Sequence, residues 1–299
     1  MLSLGIDIGS TSTEGIVLSQ EDRVIAEYST ATRRGEQGVV AGLLEVAGHL
    51  ASQTGQELTD FTSVGIGIPG VVNRETGTIA NAVNLGINQT LLRDLIADEF
   101  SVPVYLDNDV KATVVAVGNL LKSTSVTYVN FGTGVASATL DGGRLLRGRN
   151  NRAGEIGHVV LNPNGDPCRC GQRGCIETVV GGRYLAPRME MLELQWATLD
   201  KDSSPAGIAA HDQAVRVIAR VAALVAVVYA SDYIVLGGGV IHAAPWILPA
   251  VQNFLVTRSQ NTTFPDYAEI AEEISVLDPN YRAAAIGAAL IGRGGMEVE

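Results

Sequence analysis

Three cysteines and one histidine fall within eighteen residues of this chain: His158, Cys168, Cys170 and Cys175. The sequence has no other cysteine. Thiolate sulfur and imidazole nitrogen are the donors zinc takes in tetrahedral structural sites, so the cluster predicts one structural Zn²⁺ held by these four side chains. An odd cysteine count argues against a disulfide framework. Glu155, His158 and Glu177 bracket the cluster closely. A metal-pinned loop would hold two carboxylates and an imidazole in fixed positions, which makes a polar binding site on a rigid support.

Other residue groups could also carry chemistry. Asp7 precedes the turn Gly9-Ser10-Thr11, and a second turn, Gly132-Thr133-Gly134, follows a similar strand. Glycines let backbone approach a ligand, and N–H groups with Ser or Thr hydroxyls can cradle phosphate oxygens. One such turn alone would read as a plain hairpin, but two matched turns could grip one nucleotide. Asp7 could hold a water on Mg²⁺. Gly237-Gly238-Gly239 follows an apolar strand and suits a nucleoside packed against backbone. Leu106-Asp107-Asn108-Asp109 closes a strand and opens a helix, so one of its polar residues should cap that helix. A carboxylate at this strand end could take a proton from a sugar hydroxyl, and Asp107 and Asp109 compete for that role.

These residues need a scaffold, and the hydrophobic pattern supplies one. Alternating apolar residues predict strands at 2–8, 14–19 and 24–29, an antiparallel meander. Helical spacing follows at 38–54, then a strand at 63–68, a helix at 89–100, a strand at 102–106 and a helix at 110–121. The opening plan then recurs, with strands at 126–131, 135–140 and 144–146. The second half continues with a helix at 213–230, a strand at 233–236, a helix at 245–258, a strand at 273–276 and a helix from 282 on. Two copies of one α/β plan predict two similar domains. The expected division is 1–120, joined by a C-terminal helix 282–299, and 121–281, with the zinc segment 154–178 inserted in the second.

Composition narrows the functional classes. The chain has 299 residues, 46% hydrophobic and 18% charged, with a net charge of −11, which describes a folded rather than a disordered protein. An acidic chain with no basic run is a poor partner for nucleic acid or an anionic membrane. Phosphorylated ligands stay open, because backbone N–H groups and a metal ion can hold anions. Met1 runs directly into LSLGIDIGS, so no export leader is expected. The apolar stretch at 221–231 is too short to span a membrane and reads as a buried helix. Reduced cysteines and no leader predict a cytoplasmic protein.

With DIGST at 7–11, GIPG at 67–70, Asn84-Leu85, LDND at 106–109, FGTG at 131–134, GEIGH at 154–158, CRCGQRGCIE at 168–177 and LGGGV at 236–240, the chain resembles the ROK family (repressors, open reading frames and sugar kinases) of the actin-like ATPase superfamily. The resemblance spans nearly the whole chain, and GEIGH followed by the cysteine cluster is its most specific part. It implies two actin-like ATPase (ribonuclease H-like) α/β domains with an active-site cleft between them that takes ATP and a sugar. It implies Asp109 as the catalytic base, and Gly70, Asn84, Asn108, Asp109, Glu155, His158 and Glu177 around the sugar. Asp7, Gly9, Ser10, Thr11, Gly132, Thr133 and Gly134 would serve the phosphates, and Gly237 and Gly238 the nucleoside. A homodimer or higher homo-oligomer is implied as well.

The expected activity is transfer of the ATP γ-phosphoryl group to the 6-hydroxyl of a hexose, with Mg²⁺. Glucose is the first choice, with N-acetylmannosamine or fructose as alternatives. A sugar-sensing transcriptional regulator is the different-class alternative. Its relatives carry a helix-turn-helix ahead of the kinase-like part, for which a first strand beginning at residue 2 is expected to leave no room. The chain departs from the family pattern in places. Ser12 stands where the turn often has Lys or Asn, Asn119 replaces a common Glu, and Gly86-Ile87-Asn88 replaces a segment that often holds Trp.

Overall fold

The computed structural model describes residues 1–262 and 266–294. In chain order its strands and helices begin with β1 (Ser3–Ile8), β2 (Ser12–Leu18), β3 (Val24–Ala31), α1 (Glu36–Thr54), β4 (Ser63–Ile68), β5 (Val71–Asn73), β6 (Thr78–Ala82), β7 (Ile87–Thr90), α2 (Leu92–Ile96), β8 (Val104–Asn108) and α3 (Asp109–Leu121). They continue with β9 (Val126–Phe131), β10 (Val135–Asp141), β11 (Arg144–Leu145), α4 (Glu177–Val180), α5 (Gly182–Met191) and α6 (Pro205–Tyr229). The last are β12 (Tyr233–Gly237), α7 (Gly239–His242), α8 (Ile247–Ser259), α9 (Tyr267–Glu273), β13 (Ile274–Val276) and α10 (Ala283–Gly292).

The chain forms two compact units. The first takes Met1–Thr124, Gly142–Ala153 and the chain from Arg282 on. The second takes Ser125–Asp141 and Gly154–Tyr281. Segment 142–153 therefore packs with the first unit, although its place in the sequence put it in the second domain. The reason is side-chain chemistry: buried Asp107 and Lys111 of the first unit bind it, as described below. Residues 295–299 of the expected terminal helix lie outside the described residues.

In the first unit the sheet runs β3-β2-β1-β4-β8, with an antiparallel meander on one side and parallel β1, β4 and β8 on the other. Leu4, Ile6, Ile8, Leu43, Leu50, Ile66 and Ile68 are buried in its core. Helix α10 lies directly on backbone. A Cβ on Gly5 would come within 2.0 Å of the Ala285 carbonyl oxygen, and one on Gly65 within 1.8 Å of that of Ala288. A Cβ on Gly287 would meet the Ala112 carbonyl oxygen of α3 at 1.7 Å. Only glycines permit this approach, and it fixes α3, whose first residue is Asp109.

The strands of the second unit repeat the plan in the order β10-β9-β12-β13: an antiparallel pair, then parallel β9, β12 and β13. Phe131, Ile176, Ile218, Val221 and Leu236 are buried in its core.

Two sequence expectations fail locally. Residues 89–100 are not one helix: Gln89 and Thr90 belong to β7, which pairs antiparallel with β6, and only a short helix follows. Ile87 and Thr90 are buried in that pairing while Leu91 and Leu95 stay exposed, so tertiary pairing overrides the helical spacing. The resulting small sheet, β5-β6-β7, was not foreseen. Helix α6 also begins at Pro205, not 213. Ser204 caps it by accepting the Gly207 N–H at 3.0 Å, and proline fits the first position because its missing N–H would be unpaired there.

Candidate active site

The two carboxylates that competed on sequence occupy different environments. Asp107 is 1% exposed and fully engaged. Arg147 donates to its Oδ2 from Nε at 3.1 Å and from Nη2 at 2.9 Å, and the Asn151 amide donates to Oδ1 at 2.9 Å. A carboxylate held this way is committed to its partners. Asp109, at the first turn of α3, is part-exposed. Between them Asn108 is the cap, its Oδ1 accepting from the N–H groups of Val110 at 3.1 Å and Lys111 at 3.3 Å. Its Nδ2 reaches the Gly70 carbonyl at 3.4 Å, which leaves one amide N–H for a ligand. Gly70 has φ +101 and a Cβ there would come within 2.6 Å of Ala80 O, so this position is reserved for glycine. Asn84 is part-buried in the turn Val83–Leu85.

Asp7 faces the same ground as Asp109. It pairs in register with Gly67, and a Cβ on Gly67 would lie 3.4 Å from Asp7 Oδ1 and 3.5 Å from Asp109 Cα. Asp7 Oδ1 is buried with no hydrogen-bond partner. Burial, and then the charges of Asp109 and Glu14, push its carboxyl well above the usual range. An orphaned acidic oxygen beside other carboxylates is a fit for a divalent cation. The adjoining turn is closed by the Gly9 N–H donating to Ser12 O at 2.9 Å and by Thr32 Oγ1 donating to Gly9 O at 2.8 Å. Ser12, the departure from the family pattern, donates to Glu14 at 3.0 Å, and Glu14 pairs with Arg282 at 2.8 Å.

A stability prediction follows from Asp7. Its folded pKa is raised, so the native state holds a proton that the unfolded chain releases. Native stability is therefore eroded as pH rises above the ordinary carboxylate range. Without divalent cation, Asp7→Asn should raise the melting temperature, more at about pH 8 than at about pH 5.5, while impairing use of Mg-ATP. Thermal melts at the two pH values test this, and an equal or absent gain contradicts it.

In the second unit the Gly132-Thr133-Gly134 turn is braced from behind. Gly182 N–H donates to Gly132 O at 2.8 Å, Arg183 N–H to Thr133 O at 3.1 Å, and Val135 N–H to Glu177 Oε2 at 3.2 Å. A Cβ on Gly134 would come within 2.5 Å of that same oxygen, so Glu177 and the turn fit only with glycine there. Gly237 and Gly238 lie on β9: added Cβ atoms would come within 2.5 Å of the Tyr128 hydroxyl and of Asn130 Oδ1. Gly239, absent from the expected site, has nothing within 4 Å of such a Cβ. It is the glycine of the three with open space beside it.

The cysteine–histidine cluster is assembled. The four ligand atoms of His158, Cys168, Cys170 and Cys175 all lie within 4.8 Å of one another. Cys170 and Cys175 sulfurs are 3.6 Å apart, and Cys168 sulfur is 3.7 Å from His158 Nδ1. Zinc–sulfur bonds of ~2.3 Å in a tetrahedron put sulfurs roughly 3.8 Å apart, so the donors fit. The Gln172 amide holds the Cys170 thiol down to about 6, while burial pushes Cys175 up to about 12. Because the cluster faces Nδ1, the other ring nitrogen of His158 is left for a ligand. His158 and Glu155 share one turn, with the His158 N–H donating to Glu155 O at 3.2 Å, and Glu155 is exposed. Gly154, before it, has φ +99 and passes so close to Ser137 O that an added Cβ would lie 1.8 Å away.

Arg147, Asn151 and Lys111, which shape the ground around Asp109, were missed on sequence. Their partners lie some 40 residues away in the chain, and neither local spacing nor composition signals such contacts.

Comparison with known proteins identifies the family and the fold. The model of the ROK family matches residues 3–294. A glucokinase of Halalkalibacterium halodurans is 32% identical over 61% of this chain and 57% of its own length. A xylose repressor of Caldicellulosiruptor bescii is 29% identical over 64% of this chain and 49% of its own. The chain's matches thus span about half the length of these relatives. An N-acetylmannosamine kinase of Yersinia pseudotuberculosis is 31% identical over 79% of this chain and 82% of its own. Among solved structures, a ROK hexokinase from Thermus thermophilus superposes with a TM-score of 0.80 at 26% identity, covering 98% of each chain. A Streptomyces griseus ROK glucokinase, solved with glucose and AMPPNP, shares the fold with a TM-score of 0.81 at 22% identity, covering 99% of this chain and 100% of its own.

Proposed function

The chain belongs to the ROK family, with its actin-like ATPase fold, and from that premise we propose that it is an ATP-dependent hexose kinase acting on the 6-hydroxyl of glucose. The observation that carries the reading is the pair of carboxylates at the β8–α3 junction. Asp107 is consumed by Arg147 and Asn151, while Asp109 is part-exposed beside Gly67 and Asp7.

Asp109 takes the proton of the sugar 6-hydroxyl as the hydroxyl oxygen attacks the γ-phosphorus in line, the bond from that phosphorus to the β–γ bridging oxygen breaks, and ADP leaves. Gly70, Asn84 and Asn108 hold the acceptor from the first unit. In the second unit, Glu155, His158 and Glu177 are the polar groups suited to sugar hydroxyls, with His158 offering Nε2. The 9–11 turn of the first unit and the 132–134 turn of the second each offer backbone suited to phosphate, and the open space at Gly239, with Gly237 and Gly238, suits a nucleoside. Asp7 would hold Mg²⁺, which supplies charge neutralisation at the phosphates when bound. Zn²⁺ on His158, Cys168, Cys170 and Cys175 would be structural, stiffening the loop that carries Glu155 and Glu177.

The choice of sugar rests on unpaired polar groups: a site built for one hydroxyl rejects an analogue that misplaces it. The N-acetylmannosamine kinase relative supports the runner-up, as do the small residues 178–182. The experiment is a comparison of kcat/KM for glucose, mannose, fructose, allose and N-acetylmannosamine with Mg-ATP. Glucose should lead. N-acetylmannosamine ahead by about tenfold would overturn glucose and leave the kinase class standing. Sugar-dependent DNA binding without turnover would favour the regulator reading instead.

A further inference from the structure

We propose that Lys111 and Asp107 are positioning residues for phosphoryl transfer, clamping segment 147–153 onto the strand and helix that carry Asn108 and Asp109. The proposal rests on the kinase reading above. Lys111 is 3% exposed, and its ammonium donates to the carbonyls of Asn151 and Ala153, each at 3.1 Å. Asp107, equally buried, grips the same segment through Arg147 and the Asn151 amide, and approaches Arg74 Nε at 3.6 Å. Asn151 also donates to Val72 O at 3.2 Å, and the Ala153 N–H donates to Arg147 O at 2.9 Å.

The geometry is specific to this place. The clamp residues stand two positions before and two after Asp109. Their targets are backbone carbonyls and polar side chains of one short segment, ending at Ala153, the last residue before the chain passes to the second unit at Gly154. Gly154 in turn is locked against Ser137, with the Ser137 N–H donating to its carbonyl at 2.8 Å. Asp107 also ties in Arg74, which follows the Gly70 loop. Asp107 thus links segment 147–153 and the stretch after Gly70 to the strand end that carries Asn108 and Asp109, and Lys111 ties the same segment to α3. Stability alone would be served as well by apolar groups of similar volume, because burying charge costs desolvation. What charges add is fixed direction: an ammionium or carboxylate satisfied by several partners holds each of them in one place.

The test compares wild type with Lys111→Met, and with Arg147→Lys, which keeps the charge but loses the two-nitrogen grip on Asp107. The readout is the ratio of glucose phosphorylation to sugar-free ATP hydrolysis. Water adapts to a displaced base and a hexose does not, so the ratio should fall about 10- to 100-fold, the usual consequence of misplacing a reactant by an ångström. A residue that only supports folding lowers both rates together and leaves the ratio unchanged, because the ratio does not depend on the folded fraction. An unchanged ratio in either folded variant overturns the proposal. If Lys111→Met does not fold, Arg147→Lys decides. A wild type with no sugar-dependent turnover on any hexose defeats the kinase reading instead, and is distinguishable on that ground.

Discussion

Asp109→Asn should lower kcat by at least ~10²-fold while leaving the sugar KM and the melting temperature nearly unchanged. The substitution keeps the size of the side chain and removes its capacity to accept a proton. Asn108, not Asp109, caps α3, so the helix keeps its start. Asp107→Asn should behave differently. It leaves the Arg147 guanidinium facing a neutral amide in a site that is 1% exposed at Asp107. Its losses should therefore appear in stability as well as in turnover, because an uncompensated buried charge is costly. A pH–rate profile separates the two variants: the acid limb belongs to the base, and only Asp109→Asn should erase it. Retention of wild-type kcat in Asp109→Asn would remove Asp109 from the reaction.

The second large effect concerns the metal. The protein should carry about one zinc per chain, and Cys170→Ser should reduce that to a small fraction. The loop from 158 to 175 has little apolar core of its own. It is held by two isolated bridges, Val160 with Cys175 and Pro167 with Arg173, and by turn bonds such as Cys168 N–H to Gln172 O at 2.8 Å. Such a loop depends on a cross-link for rigidity. Metal loss should raise the sugar KM by about tenfold or more through Glu155, His158 and Glu177, with far less effect on ATP. Metal analysis with steady-state kinetics on the same samples checks this. Zinc-free protein with full sugar affinity would contradict it.

Much of the frame was legible in the sequence because short-range physics writes it. β1 and β9 alternate or run apolar before a glycine turn, and α3 begins at a visible cap. The cysteine–histidine cluster was legible because its four candidate donors sit close in sequence. The clamp was not: Lys111 and Asp107 gave no sign that they would meet residues 147–153, since that meeting is decided by how the chain doubles back. The β5-β6-β7 sheet was hidden for a related reason. Its strands are three to five residues long, and 89–100 carries helical spacing that only the pairing of Ile87 and Thr90 with β6 defeats. Helix α6 was a different failure. The Ser204-Pro205 start was present in the sequence, but the first turns after it are small residues that stay mostly exposed, with Ile208 51% exposed, so they carry no core-facing apolar stripe.

Phosphorus NMR of the protein with Mg-ATP and one equivalent of glucose tests the central claim most directly. The γ-phosphorus signal of ATP should convert stoichiometrically into ADP and a hexose 6-phosphate resonance, with little inorganic phosphate. If ATP stays intact, or breaks down only to inorganic phosphate, with glucose and with every other hexose of the panel, the chain is not the kinase described here.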